Sequence, residues 1–418
     1  MTVLIAGAGI GGLTLGLSLH QVGVPFRIVE AVRELRPMGV GINLQPHAVR
    51  ELFELGLEAE LDAIGIRTAE VAYFSEQGKP IWAEPRGRDA GYNWPQYSIH
   101  RGELQFLLLN ALRARAGDVV ETGKALADWA DTGARLSVQF EDRATGQKLD
   151  SVDAAVLVAA DGINSTAREI LYPGEGGAVW GGTMMWRGVT DGPAFLTGRS
   201  MAMAGTKDRK FVCYPIQTHA DGRVRINWIA DLSMPPDFPW DRQDWTREGR
   251  LSDFAPRFAG WHFDWLDIPW VIENAESIWE YPMVDRDPLP GWSFGRVTLM
   301  GDAAHAMYPI GSNGASQAIL DARVLAREIR RHGAGETALA AYDAARREDV
   351  NKVVLANRGD GPDKVLDEVA ARAPDGFDHI GDVIGAEELA AIAASYKSVA
   401  GFDVDALNAR PSLIETGA

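Results

Sequence analysis

Apolar residues at the start of the chain form a continuous run, then fall at helical spacing, then form a continuous run again. TVLIAGA is short, β-branched and apolar, as a buried parallel strand is, and GAGIGG breaks it. From Leu13 the apolar positions follow a helical period as far as Gly23, where VGVPF stops the helix and feeds a second strand, FRIVEA. Strand, glycine turn, helix and strand make one βαβ unit. The stretch from Val3 to Val24 is long enough to cross a bilayer, but nothing basic precedes it and Gly7, Gly9, Gly11 and Gly12 fall within six residues, so neither a membrane span nor a secretory signal is expected.

Farther along, VAYFSEQGKPIWAEPRG and YNWPQYS read as short strands, RGELQFLLLNALRARAG as a helix, and AAVLVAADG as another buried strand ending in a turn. Between about 176 and 284 the period becomes that of strands, with FVCYPI and RVRINWIADL joined by QTHADG as a hairpin. After GRVTLMGDAAH the chain is helical nearly to its end. The expected fold is α/β: a Rossmann-like nucleotide domain (1–70, 98–175 and 285–358) interrupted by a β-rich domain (71–97 and 176–284), with a C-terminal helical region (359–418). The last stretch reads as helix then extended tail, either capping a pocket or joining an interface.

Gly7, Gly9 and Gly12 fit the dinucleotide fingerprint, in which the first glycine permits a tight turn, the second a close phosphate and the third close helix packing. Glu30 closes the second strand 18 positions after Gly12, where a carboxylate accepts hydrogen bonds from an adenosine ribose. GAGETA at 333–338 has similar letters but follows a basic helix, so it reads as a helix end and one dinucleotide fold is expected. A formal charge of −17 argues against nucleic acid as a partner. The lone cysteine, Cys213, excludes an intramolecular disulfide and a cysteine-based zinc cluster, and KFVCYPI makes it a packed thiol in a strand rather than a nucleophile. No metal site and no stable membrane insertion are expected, and the cytoplasm is the expected compartment. Eight of the 13 tryptophans, Trp228, Trp240, Trp245, Trp261, Trp265, Trp270, Trp279 and Trp292, lie between 228 and 292. They read first as the core of the β-rich layer, and as a source of flat apolar walls for a ligand.

Two further segments join the glycine loop: LVAADGINSTAREIL, with Asp161, Gly162, Ser165 and Arg168, and RVTLMGDAAHAMYPIGSNGASQAILDA, with Asp302, Pro309, Gly311 and Gly314. Together the three resemble the fingerprints of the class A flavin-dependent aromatic hydroxylases. RPMGVGINLQPHAV, YSIHRGELQ, MWRGV and YPMVDRDPLPGW are similar to the branch of that family acting on phenazine carboxylates. The likeness is strongest over 1–105 and 280–358 and thinner from 190 to 280.

That resemblance implies FAD, NAD(P)H and dioxygen, and hydroxylation of an aromatic or heteroaromatic small molecule through a C4a-hydroperoxyflavin, with or without loss of a carboxyl group. Gly7, Gly9 and Gly12 would take the pyrophosphate and Glu30 the ribose. Arg101 would meet the cofactor, with a solvated helix-start cation as the alternative, and Asp302 would bind near the ribityl chain. Asp161 would contact the cofactor or simply hold the turn together. Pro309, Gly311, Gly314 and Ala315 would pass the reactive face of the flavin and open a helix whose N-terminus steadies negative charge. Arg187 would orient a substrate carboxylate or make a structural ion pair, and Tyr97 and Tyr214 are candidate pocket hydrogen bonders. His305 reads as a packed, hydrogen-bonded histidine rather than a base. A flavin-binding sensor without turnover, and the oxygenase half of a two-component system, are the alternatives; monomer and homodimer are both open.

Overall fold

Val3–Ala6 is buried throughout, so it needs a strand on each edge, and it runs parallel to Val156–Ala159 on one side and to Phe26–Glu30 on the other. The computed structural model describes residues 2–37, 39–240, 247–359, 361, 363–399, 401 and 403–414, without the side chains of 393–399. Val297–Leu299 and Val120–Thr122 extend the first sheet in parallel, and Ser293–Phe294 adds an antiparallel edge. The helix Ile10–Gln21 lies buried against this sheet and against the helix Gly314–His332. GAGETA spans the break between that long helix and the next, Glu336–Arg358, as its setting after a basic helix predicts.

Residues 125–154, which carry no assignment in the sequence reading, form a three-stranded antiparallel meander, Ala125–Asp131, Leu136–Asp142 and Gln147–Ala154. A second small sheet joins Gly41–Leu44, Gln96–His100 and Gly65–Thr68.

The largest sheet has seven strands in the order Ile278–Asp285, Val179–Gly192, Val224–Ser233, Arg209–Thr218, Ser200–Gly205, Glu70–Phe74 and Pro80–Pro85. Strand parity gives it two different faces. Cys213 stands opposite Trp228 and points outward, into a cluster with Trp186, Phe211, Phe254, Phe258 and Trp261. Rings stack there, Trp186 on Phe254 at 5.0 Å and Phe211 on Trp228 at 5.9 Å between centroids. Tyr214 stands opposite Asn227 and points inward with Val212, Val71 and Tyr73, a face covered by Val40 and by the helix Lys364–Arg372.

This alternation corrects the expectation of tryptophan walls. Trp228, Trp240, Trp261 and Trp265 belong to the outer cluster, and Trp292 to the core of the first domain. Trp270 is partly exposed, Trp245 lies outside the described residues, and Trp279 is the tryptophan of the group that packs on the inner face.

The C-terminal tail returns to the first domain instead of ending over a pocket: Arg410 pairs with the buried Glu51 at 2.9 Å, Ser412 donates to Glu54 at 2.7 Å, and Ile414 is buried in the core. Glu51 is gripped from its other side by Arg323 at 3.2 Å.

The small sheet is the joint between the two large ones. The Gly41 N–H donates to Asn227 Oδ1 at 2.6 Å and Arg187 Nη2 donates to the Gly41 carbonyl at 3.0 Å. A Cβ at Gly41 would lie 2.7 Å from Asn227 Cγ and 2.8 Å from the Tyr214 ring. Gly41→Ala is therefore expected to overpack the joint and cost about 1–3 kcal/mol, seen as a lower urea midpoint at unchanged slope; an unchanged midpoint would show that the joint has room to spare.

Candidate active site

The loop after the first strand is shaped by contacts that tolerate no side chain. Gly7 has φ +115° and a Cβ on it would lie 2.2 Å from the Ala160 carbonyl oxygen; one on Gly12 would lie 2.0 Å from the Gly7 carbonyl oxygen. Beside Gly9, by contrast, the space is open, with nothing within 4 Å of a built Cβ. Gly9 is the N-cap of the helix Ile10–Gln21 and no side chain caps that end, so first-turn amides face a cradle suited to a phosphate.

Two side chains fix the loop by its next residue. Glu30 Oε2 accepts from the Ala8 N–H at 2.8 Å while its Oε1 accepts from the Val32 N–H at 3.0 Å, and Gln105 Nε2 donates to the Ala8 carbonyl at 2.8 Å. Gln105 was not singled out in the sequence, although it sits in the HRGELQ motif, on the helix Arg101–Ala116 that Arg101 opens. Arg101 is exposed, runs past Gly39, and has no carboxylate partner among the described residues.

The Gly301–Asp302 turn abuts the same cradle, since built Cβ atoms on Gly11 and Gly301 would both touch Ala318, at 3.3 and 3.4 Å. Asp302 is exposed and makes no hydrogen bond among the described residues. Its turn is held from behind by the buried Arg168, which donates to the carbonyls of Ala303 (3.2 Å), Ala304 (3.0 Å) and Asp287 (2.6 Å). Asp161 is placed as the brace of its own turn: it accepts from Ser165 Oγ at 2.6 Å and from the Ala167 N–H at 3.4 Å, and burial raises its pKa against those bonds.

Pro309 precedes a tight turn, Ile310–Ser312, in which Gly311 takes φ +74°. Gln45, just past the joint strand, holds that turn by donating from its side chain to the Gly311 carbonyl at 3.2 Å, and its backbone N–H donates to Ser316 Oγ at 3.1 Å. Gly314 and Ala315 then open the helix Gly314–His332, whose N-cap, Asn313, makes no side-chain cap. Opposite this turn, the inner face of the seven-stranded sheet presents Met185, Ile229, Tyr281 and Met283, which cluster with Tyr308 and Ile310. Burial pushes the Tyr308 phenol up to about 12.

Arg187 reaches this face with one nitrogen on Gly41 while its Nε is buried without a partner among the described residues. Tyr214 is buried beside it; burial pushes its phenol up to about 12 although Arg187 pulls the other way. Tyr97 is not a pocket group. Strand parity turns it to the opposite side of the joint sheet, where its hydroxyl donates to Asp62 at 2.5 Å. His305 is packed as its motif implies, bonded through Nε2 to Asp321 at 2.6 Å; His305 and Arg346 hold that carboxyl below its usual range despite full burial. Burial likewise raises the Cys213 thiol, which stays inert in the outer cluster. Among the described residues there is no His, Cys, Asp and Glu group able to hold a metal, and no helix long and apolar enough to cross a membrane.

The open space beside Gly9, Asp302 and Arg101 without partners among the described residues, and a helix end without a side-chain cap are the groups here left for a ligand, and comparison with known proteins indicates the class of ligand. The sequence matches the family described as FAD binding domain over residues 1–236 and 275–357. Phenazine 1,6-dicarboxylic acid hydroxylase PhzS of Lysobacter antibioticus is 45% identical over 405 residues, 95% of this chain and 96% of its own. The chain belongs to the FAD-dependent aromatic monooxygenases. A 6-hydroxynicotinate 3-monooxygenase of Pseudomonas fluorescens is 30% identical over 84% of this chain and 89% of its own length. The structure of HpxO of Klebsiella pneumoniae complexed with FAD and uric acid superposes with a TM-score of 0.73 over 97% of this chain and 96% of that one, at 22% identity, a likeness of fold. Membership of this monooxygenase family decides against a flavin-binding protein without turnover.

FAD binding is the property of the matched family, and Glu30 and Gln105, which hold Ala8 in the glycine loop, are testable as its supports. Glu30→Gln is expected to weaken FAD by about 1–3 kcal/mol, the cost of disturbing a part-buried charged acceptor, and Gln105→Ala by about 1 kcal/mol through a looser loop. Titration of the apoproteins with FAD, followed by flavin fluorescence, measures both; parent affinity in Glu30→Gln removes that residue from the site.

Proposed function

We propose that this monooxygenase hydroxylates a planar, fused heteroaromatic carboxylate of the phenazine type, with FAD reduced by NADH or NADPH and with dioxygen as co-substrate. The observation that carries the reading is the apolar cluster of Met185, Met283 and Tyr308, with Ile229, Tyr281 and Ile310 packed on it, on the sheet face that also carries Arg187, whose Nε is buried without a partner among the described residues. The 45% identity to a phenazine 1,6-dicarboxylic acid hydroxylase along nearly the whole chain supports the same ring class.

In this reading FAD, when bound and reduced, supplies the activated oxygen that adds to the electron-rich ring. The residues of the chain do the rest. Gly7, Gly9, Gly12 and the first helix N-terminus bind the pyrophosphate, Glu30 the ribose, and Asp302 the ribityl chain. Arg101 meets the isoalloxazine or phosphate edge, where a guanidinium suits an anion. Pro309 and Gly311 bring backbone close to the reacting ring system, and the amides of Gly314 and Ala315 at a long helix N-terminus steady the negative charge that reduction places there. Met185, Ile229 and Met283 exclude water from the ring to be hydroxylated. Arg187 orients the substrate carboxylate, and Tyr214, packed beside Arg187, positions it.

Oxidation of NADH and of NADPH, measured with product analysis across phenazine carboxylates, benzoates, salicylates and phenols, tests the reading. Stimulation by a fused-ring acid with hydroxylated product is expected; stimulation by monocyclic acids alone discards the phenazine class. Retained carboxylate and released carbon dioxide tell attack at a ring C–H from attack at the carbon bearing the carboxylate.

Gly311→Val tests the turn. A β-branched residue is strained at φ +74°, by roughly 1–3 kcal/mol, and would crowd the ring face. FAD should stay bound while NAD(P)H consumption is diverted from product to hydrogen peroxide; parent yield of product per NAD(P)H places the turn elsewhere.

A further inference from the structure

On the inner face of the seven-stranded sheet an acid lies beside Arg187 and is not paired with it. Arg187 stands opposite Ile229, and Asp231 opposite Met185, so Arg187 and Asp231 are diagonal neighbours on adjacent strands, about 7–8 Å apart at Cα and on one face. They carry opposite charge in a buried setting, yet no ion pair joins them; instead each leaves a buried atom without a partner among the described residues, Arg187 Nε and Asp231 Oδ1. Asp231 is 5% exposed. Its other neighbour, Lys210, keeps Nζ 3.6 Å from Oδ2, beyond hydrogen-bond reach, and is bonded to Asp363. Met185, its partner across the strands, packs with Tyr281, Met283, Tyr308 and Ile310.

The charged and titratable groups around Asp231 come from every element packed there: Arg187 and Lys210 from the two flanking strands, Tyr281 from the strand beyond Met185, and Asp363 from the segment after the helix Glu336–Arg358. With Asp231 ionised, the two cations and two carboxylates sum to zero. A substrate carboxylate arriving on Arg187 would add an uncompensated anion within reach of Asp231, and two buried carboxylates so close do not both stay ionised.

We infer that Asp231 is a specificity-determining residue of the substrate pocket, and that it shares a single proton with the carboxyl group of the substrate beside Arg187. The inference rests on the carboxylate reading of the preceding subsection. One proton, taken from water on binding, forms an O–H···O bridge between the two carboxyl groups while Arg187 Nε donates to the substrate's second oxygen; no other bond changes. Burial already pushes the Asp231 carboxyl up against the pull of Lys210, which favours the proton's residence there. The pocket would thus select a group with an acceptor beside a donor: a carboxylic acid, or a primary carboxamide, which brings its own donor.

The sign follows from the extra proton in the complex. Above the pH at which free Asp231 and the free acid are both ionised, affinity for a phenazine-1-carboxylate should fall about tenfold per pH unit. In Asp231→Asn the amide supplies the donor, so affinity for the carboxylate should not fall over that range, and phenazine-1-carboxamide should bind the parent without this pH dependence. Dissociation constants read from the perturbed flavin absorbance of the FAD holoenzyme test all three. Calorimetry of the parent in buffers of different ionisation enthalpy gives an independent reading, with uptake of one proton per ligand expected. Equal pH slopes in parent and Asp231→Asn, or no proton uptake by the parent, overturns the inference while leaving a phenazine hydroxylase intact. Failure of phenazine carboxylates to bind either protein discards the substrate reading and this inference with it.

Discussion

Gly41 is held at both of its backbone polar groups, its N–H by Asn227 and its carbonyl by Arg187, and that clamp sets the relation between the two halves of the molecule. The strand that begins at Gly41 ends at Leu44, next to Gln45, whose side chain holds the Gly311 turn and whose backbone N–H donates to the Ser316 hydroxyl. One short strand therefore connects the large sheet to the turn that opens the long helix. The sheet face and the Gly311 turn are registered through it, and a side chain at Gly41 would push them apart. In the proposed function Arg187 would have two tasks, because the guanidinium that clamps Gly41 keeps its Nε free for a carboxylate. The Gly41 bond would hold it in place before a ligand arrives, which lowers the entropic cost of holding one.

The nucleotide half was legible in the sequence because it is built from backbone. Where a ligand or a neighbouring carbonyl approaches the main chain, the residue must be glycine, and Gly7, Gly9 and Gly12 mark those approaches at fixed spacing. The supports were not legible. Gln45 and Gln105 act by single hydrogen bonds from polar side chains on ordinary helix and strand positions, and nothing in their spacing distinguishes them from solvated glutamines. Asn227 and Asp231 were hidden in RVRINWIADL for the same reason: the alternation shows that they share a face, but which face turns inward depends on how the sheet docks. In the meander of 125–154 the outer strands are mostly polar and exposed, so the apolar period that reveals a buried strand is weak in them, whereas the central strand alternates apolar and polar from Leu136 to Phe140 and was legible.

Tryptophan illustrates the limit from the other side. Crowding of large aromatic residues correctly marks a thick β-rich core, but composition carries no sign for the two faces of a sheet. Cys213 and Tyr214 are adjacent in the chain, and one enters the stacked outer cluster while the other meets the joint. The outer face is an aromatic core stabilised by ring packing, and the inner face carries the buried polar atoms Arg187 Nε, Asn227 Nδ2 and Asp231 Oδ1 without partners among the described residues. Leaving such atoms unsatisfied costs about 1–3 kcal/mol each in a protein interior, and three of them on one side of neighbouring strands, two carrying charge, point to a polar ligand more directly than the aromatics do.

The chemistry proposed for this enzyme brings two anions close together, a reduced flavin and a carboxylated ring, and the structure meets them with different devices on different elements. The uncapped N-terminus of Gly314–His332 offers backbone amides, which stabilise spread charge on a ring without competing as a proton donor of low pKa. Arg187 offers a directed, permanently charged fork, suited to the localised charge of a carboxylate. In the proposed arrangement the two devices stand on separate elements, a helix N-terminus and a strand of the large sheet, tied together through Gly41 and Gln45, so that each anion would meet its own partner.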